Sequence, residues 1–402
     1  MKILLISKYV SSSYFEKFEK LSKSKTVSPQ QKFMGNIVNG FTANGYSLDL
    51  ISIIPVSSKT HSKRKFKYFS EVIDKNTYHY PAFLNYIFLR EKTQQNSTLK
   101  LLKKWCKKYP SEKKVVLLDG LLGHINKKIT KFANKKGIKV ISILTDSPYY
   151  ASDTVVTRTI IKKNLYRIYN SMTEKSLELA DAYVFLTEYM SSAFNKNGKP
   201  YRVIEGFCNS KQKRLTQAKE EGEFTIIYSG SIYKKYGVIE LVKAVAQLGK
   251  PYYLIVYGNG EDVINVEDYE RRYDNIKYGG YIPLSKADEV ILDADLLINP
   301  RPVSGDYTKM SFPSKTIEYM ASGVPTLTTK LEGIPKNYYP YLYFLESSES
   351  DAIMKKIDEI SAQSKRELYS FGKKASNFIR LNTNEYIQVK KILDLIGEII
   401  NE

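Results

Sequence analysis

The stretch Asp295–Thr329, reading DLLINPRPVSGDYTKMSFPSKTIEYMASGVPTLTT, admits few folds. Asp295-Leu296-Leu297-Ile298 is a short buried strand, and Asn299-Pro300 ends it because proline cannot continue a ladder of backbone hydrogen bonds. After a polar loop, Phe312-Pro313-Ser314-Lys315-Thr316 opens a helix, with Ser314 read as its cap. The helix stops at Ser322-Gly323, and Val324 to Thr329 resumes a β-rich run. Such a β-loop-α-β unit belongs in a parallel sheet, where ligands sit outside the carboxyl ends of the strands.

The loop and helix start carry the residue types that a nucleotide-sugar needs. Backbone amides at a helix start attract anions, and Arg301, Lys309 or Lys315 could meet a diphosphate there. Glu318, one turn further on, offers a carboxylate able to accept from two adjacent ribose hydroxyls. Taken alone, the segment serves equally well as a packed crossover.

The same alternation runs through the chain. Ile3 to Ile6, Leu48 to Ile54, Val115 to Leu118, Val140 to Leu144 and Tyr183 to Leu186 are strand-like, with helical stretches such as Gln31 to Asn44 between them. A doubly wound sheet follows, and 402 residues suit two such domains. Lys59 to Lys100 is polar, basic and poorly periodic apart from Tyr78 to Leu89, and reads as excursions and loops over the sheet edge, with the shaping of an acceptor cleft as the alternative. Asp119, His124 and Asp146 follow strands at the ligand-binding end and are the acceptor-side candidates; a turn or capping role is the competing reading for each.

FPSKTIEYMASGVP resembles the donor-site signature of retaining glycosyltransferases of family 4. The series Ile226-Ile227-Tyr228-Ser229-Gly230-Ser231-Ile232, then Leu254-Ile255-Val256-Tyr257-Gly258-Asn259-Gly260-Glu261, then Ile276-Lys277-Tyr278-Gly279-Gly280-Tyr281-Ile282 matches that family's order of strands and glycine turns. Asn299-Pro300-Arg301 and TKMSFPSKT are similar to a subset associated with bacterial capsule and exopolysaccharide assembly.

The resemblance implies the GT-B fold: two Rossmann-like doubly wound α/β domains facing across a cleft. Residues 1–208 would bind acceptor and residues 209–382 the donor, with a C-terminal helix at about 383–402 packing back on the first domain. It further implies a retaining, hexosyltransferase-type enzyme without metal or other cofactor. UDP is favoured over GDP as the donor nucleotide, and a polyprenyl-diphosphate-linked saccharide is the expected acceptor. Gly230, Ser231, Lys235, Gly258, Ser314 and Glu318 would bind donor, and Lys309, Lys315 and Arg301 would steady the leaving diphosphate.

The sequence departs from the family pattern at three positions. Met310 stands where the first acid of the E-x7-E pair belongs, Ser231 where arginine is common, and Tyr236 where a lysine precedes glycine. These departures keep open a catalytically weak or inactive partner protein with the same fold. A sugar-nucleotide epimerase ranks lower, because the three histidines all precede residue 125.

Charge divides the chain. Residues 1–200 hold 35 Lys+Arg against 14 Asp+Glu, while residues 201–402 hold 27 against 28. An anionic partner for the first half follows. Anionic membrane is the expected one, since no nucleic-acid motif accompanies the charge. Two stretches could lie on such a surface: Leu99 to Tyr109, with the single tryptophan Trp105, and Arg158 to Tyr169; for the first, a solvated helix with Trp105 in the core is the competing reading. Cys106 and Cys208 make neither a disulfide framework nor a zinc site. No run approaches the length of a membrane span, so a cytoplasmic protein, peripheral at the inner membrane face, is expected.

Overall fold

The computed structural model describes residues 1–19, 29–56, 61–87, 89–147, 160–209, 212–220, 222–303 and 308–401. The chain forms two compact units, Met1–Glu205 with Glu385–Glu402, and Gly206–Asn384.

The first unit is built on β1 (Lys2–Ser7), β2 (Asp49–Ser52), β3 (Lys65–Phe66), β4 (Phe69–Ile73), β5 (Asn76–Tyr80), β6 (Phe83–Leu84), β7 (Lys114–Asp119), β8 (Lys139–Leu144), β9 (Ala182–Phe185) and β10 (Tyr201–Val203). Eight of these form one sheet in the order β10-β9-β8-β7-β1-β2-β5-β4, and β3 pairs with β6 separately. Only β4 runs against its neighbour in the main sheet. Strands β1, β7 and β8 are near-continuous apolar runs, buried throughout their centres, as parallel strands covered by helices on both faces must be. Strand order reverses direction between β1 and β7, which makes their carboxyl ends the switch point of this unit.

The described part of Lys59–Lys100 holds more regular secondary structure than its polarity suggests. It supplies β4 and β5 to the main sheet, the β3/β6 ladder, and the start of the helix Arg90–Lys108. That helix spends its apolar side on the core: Leu102 and Trp105 are buried, and the Trp105 indole N–H donates to Asp49 Oδ2 at 2.9 Å. Its exposed side carries Lys100, Lys103, Lys104, Lys107 and Lys108. The other surface candidate, Arg158 to Tyr169, lies outside the described residues at 158–159 and, for its side chains, throughout. The last helix, Glu385–Asn401, buries Val389, Ile392, Leu395, Ile396 and Ile399. It packs against the helix Pro29–Ala43 of the same unit, where Asn44 Nδ2 donates to the Tyr386 carbonyl at 3.0 Å. Among the described residues, no helix is long and apolar enough to cross a membrane.

The second unit holds β11 (Phe224–Ser231), β12 (Tyr252–Asn259), β13 (Ile276–Gly280), β14 (Leu296–Asn299), β15 (Thr326–Thr329) and β16 (Tyr343–Leu345). They form an all-parallel sheet ordered β13-β12-β11-β14-β15-β16. This is the Rossmann arrangement, with its switch point between β11 and β14. At the opposite, amino-terminal edge, Lys365 and Asp295 form an ion pair at 2.9 Å with side chains 8% and 5% exposed. Lys365 also donates to the Glu223 carbonyl, and Asp295 accepts from the Thr225 amide. The pair fastens the helix Lys365–Asn382 to the sheet.

Candidate functional site

The carboxyl ends of β11 and β14 converge on one cluster in the second unit. Strand β11 ends in Gly230-Ser231, and the helix Ser314–Ser322 is held against it by Tyr319, whose hydroxyl accepts from the Ser229 amide at 2.9 Å and donates to the Ser229 carbonyl at 3.1 Å. This attachment fixes the first turn of the helix, so Lys315 lies across the strand end. Its ammonium donates to the Tyr228 hydroxyl at 3.2 Å and sits 4.5 Å from that ring's centroid. Gly230 makes the arrangement possible, because a Cβ there would collide with Lys315 Nζ.

Arg301 follows β14 and stacks toward the Tyr236 ring at 5.7 Å. Gly237, next in the chain, has φ of 75° and leaves no room for a Cβ beside the Pro300 carbonyl, so the turn after β11 and the end of β14 are locked together. Burial draws the Lys315 ammonium down to about 8, with Glu318 opposing and Arg301 adding to the depression. Two cations and one carboxylate therefore share a small, partly desolvated space at the switch point. A cation depressed by burial and by a like charge gains most when an anion arrives.

Ser314 does not cap the helix. Pro313 occupies the N-cap position and makes no side-chain cap bond, because the serine is already the first helical residue. Ser314 is exposed, on the same first turn as Lys315. Gly258, at the end of β12, is in register with Gly230. Ser231 is exposed at the strand tip, where its carbonyl accepts from Tyr228. Lys235 lies exposed in the following turn between the Tyr233 and Tyr236 rings. Lys309 pairs with Glu332 at 3.5 Å, beyond the end of β15.

Residues 209–378 match the Glycosyl transferases group 1 family. No protein of curated function matches the chain significantly in sequence. Among solved structures, sucrose-phosphate synthase from Thermosynechococcus elongatus is similar with a TM-score of 0.67 at 14% identity, covering 100% of this chain and 99% of that one. Anabaena HepE in complex with UDP gives 0.65 at 12%, covering 99% and 100%. Pneumococcal O-GlcNAc transferase GtfA, in complex with UDP and GlcNAc, gives 0.61 at 10%, covering 100% and 99%. The fold is GT-B. The cluster around Lys315 thus lies within the span matched by the glycosyl transferases group 1 family.

The acceptor-side candidates lie in the first unit. Asp119 ends β7 at that unit's switch point, fully buried, accepting from Gln30 Nε2 at 2.6 Å and from the Leu121 amide at 3.0 Å. Burial raises its carboxyl, with the nearby Lys8 charge pulling the other way. Asp146 follows the adjacent strand β8 and caps its own turn, accepting from the Ser147 amide at 2.7 Å. His124 is the second residue of the helix Gly123–Lys135, and its side chain lies outside the described residues.

Several site residues were missed in the sequence. Tyr228 and Tyr319 lie inside the quoted motifs with no role assigned to them, and only the fold shows that they contact Lys315 and tie the helix to β11. Gln30 gave no signal, since a glutamine at a helix start has no periodicity to betray it. Among the described residues, no group of three or more His, Cys, Asp or Glu side chains could hold a metal ion.

Proposed function

We propose that the protein transfers a hexosyl unit from a nucleoside-diphosphate sugar, UDP in preference to GDP, to a lipid-linked saccharide, with retention of configuration. The reading rests above all on Lys315, a cation held over the glycine turn of β11 at the Rossmann switch point. The UDP held in the HepE and GtfA complexes supports that choice of nucleotide. The diphosphate would lie along Gly230 and the first turn of Ser314–Ser322, between Lys315 and Arg301, with the ribose on Glu318. As the sugar–phosphate bond breaks, negative charge grows on the leaving oxygen, and prepositioned cations stabilise that charge more than the ground state. Side chains supply the compensation in this scheme, so turnover would be insensitive to EDTA.

On the acceptor side, half-buried Asp146, after β8 in the first unit, is the residue we favour for contact with a hydroxyl. The expected setting is cell-surface polysaccharide synthesis, including capsule or exopolysaccharide, at the cytoplasmic face of an anionic membrane. Met310 favours one second reading, a partner protein that keeps the nucleotide and has lost transfer. Thermal-shift titration with UDP, GDP and their sugar conjugates tests the donor assignment. Stabilisation by one nucleotide, lost in Glu318→Ala, is expected; no response from any nucleotide would sink it. Donor binding without product release would favour the second reading.

A further inference from the structure

The excursion Lys59–Lys100 ends in a tip that the first unit does not use for its own core. Tyr86, Ile87 and Leu89 precede the helix Arg90–Lys108 with 49%, 69% and 45% of their surface exposed; Phe88 lies outside the described residues. The amides of Leu89 and Arg90 both donate to the Tyr86 carbonyl, at 3.1 and 2.9 Å, which ties Leu89 to Tyr86 at the start of the helix. The apolar side chains are therefore held out by an ordered support.

Strand β3 runs beside this tip. The Asn85 amide donates to the Arg64 carbonyl at 2.7 Å, and the Arg64 guanidinium lies 5.9 Å from the centre of the Tyr86 ring. Beneath, Phe66 and Phe83 are buried and stack at 4.5 Å, which makes the ladder a firm platform. Its outer residues Lys63, Arg64, Lys65 and Lys67 are all exposed, and Ser62 to Tyr68 contains no acid.

Neighbouring aliphatic residues exposed at the start of a helix cost solvation free energy unless something covers them. A cationic fringe around an aliphatic and tyrosine tip complements one surface in particular: an anionic lipid interface. Lysine and arginine meet phosphates there, tyrosine sits at headgroup depth, and aliphatic groups enter the acyl boundary. We propose that Tyr86, Ile87 and Leu89, with Lys63, Arg64, Lys65 and Lys67, dock the first unit on an anionic bilayer. Ile87 and Leu89 enter the lipid. The inference deepens the lipid-linked-acceptor reading and rests on it. It also places docking at the tip instead of on Leu99 to Tyr109, whose Leu102 and Trp105 are committed to the core.

The full chain is sedimented with phosphatidylcholine vesicles, with and without phosphatidylglycerol, at low and high salt. Wild type binds the phosphatidylglycerol vesicles at low salt. The double change Ile87→Asp with Leu89→Asp weakens this by about tenfold or more. The triple change Lys63→Glu, Arg64→Glu, Lys65→Glu abolishes the salt dependence along with most binding. Both variants keep the wild-type melting temperature and the wild-type UDP shift, since the altered side chains are exposed. Wild type that ignores both vesicles, or an aspartate variant that binds as well as wild type, overturns the proposal. So does an aspartate variant that only converts an oligomer to a monomer, which would assign the tip to a second copy of the chain. Vesicle binding that survives without any UDP response would sustain the docking and remove the donor reading.

Discussion

At the scale of single residues, Lys315 concentrates the account. Its amine titrates near 8 in the folded protein against an ordinary 10.5, so between those values the unfolded chain binds more protons and apo stability rises with pH. Below 8 the cost of holding the buried cation is present in full. Lys315→Met should therefore raise the apo melting temperature at pH 7 while removing the UDP-induced shift, both read by thermal denaturation. A variant that merely loosened the helix start would lower both. Glu318→Ala should raise donor KM by about tenfold, the loss of roughly one charged hydrogen bond, and should lower the apo melting temperature at pH 7, because its carboxylate offsets part of the cost of burying the Lys315 cation. The sequence showed Lys315, Arg301 and Glu318 as chemistry, because loop cations and a carboxylate one turn into a helix carry their meaning locally. It did not show that Lys309 is tied to Glu332, because that partner comes from the turn after another strand.

At the scale of elements, the second sheet separates function from stability by its two ends. The carboxyl ends of β11 and β14 hold Gly230, Lys315 and Arg301; their amino-terminal edge holds the Lys365–Asp295 pair. Breaking a buried pair from one side leaves an uncompensated charge, so Lys365→Met should cost about 3–5 kcal/mol in urea denaturation. UDP affinity measured under native conditions should not move. Strands such as Ile3 to Ile6 and Val115 to Leu118 were legible because parallel strands buried on both faces read as apolar runs. The segment Lys59–Lys100 was not, because β4 is an edge strand with exposed residues facing water along its length. Edge strands carry polar side chains that mask their pairing.

At the scale of the whole molecule, each unit places its charged candidates at the switch point of its own sheet, a buried acid at Asp119 and a cation at Lys315. The excess positive charge of residues 1–200 belongs to the unit that carries the proposed lipid-facing tip. The asymmetry was visible in the sequence, but its use was not, since exposure of Ile87 and Leu89 depends on the tie of Leu89 to Tyr86 at the start of the helix. The claim on which everything else stands is that Lys315 is the cation that receives a diphosphate. Calorimetric titration of UDP into wild type and Lys315→Met, from pH 7 to pH 10, tests it most directly. The account predicts wild-type affinity that falls as pH rises through about 8, with proton uptake on binding near that pH, and a variant that binds at least tenfold more weakly at pH 7 with a flat profile. Equal affinity in the two proteins, or a wild-type profile flat across that range, would contradict it.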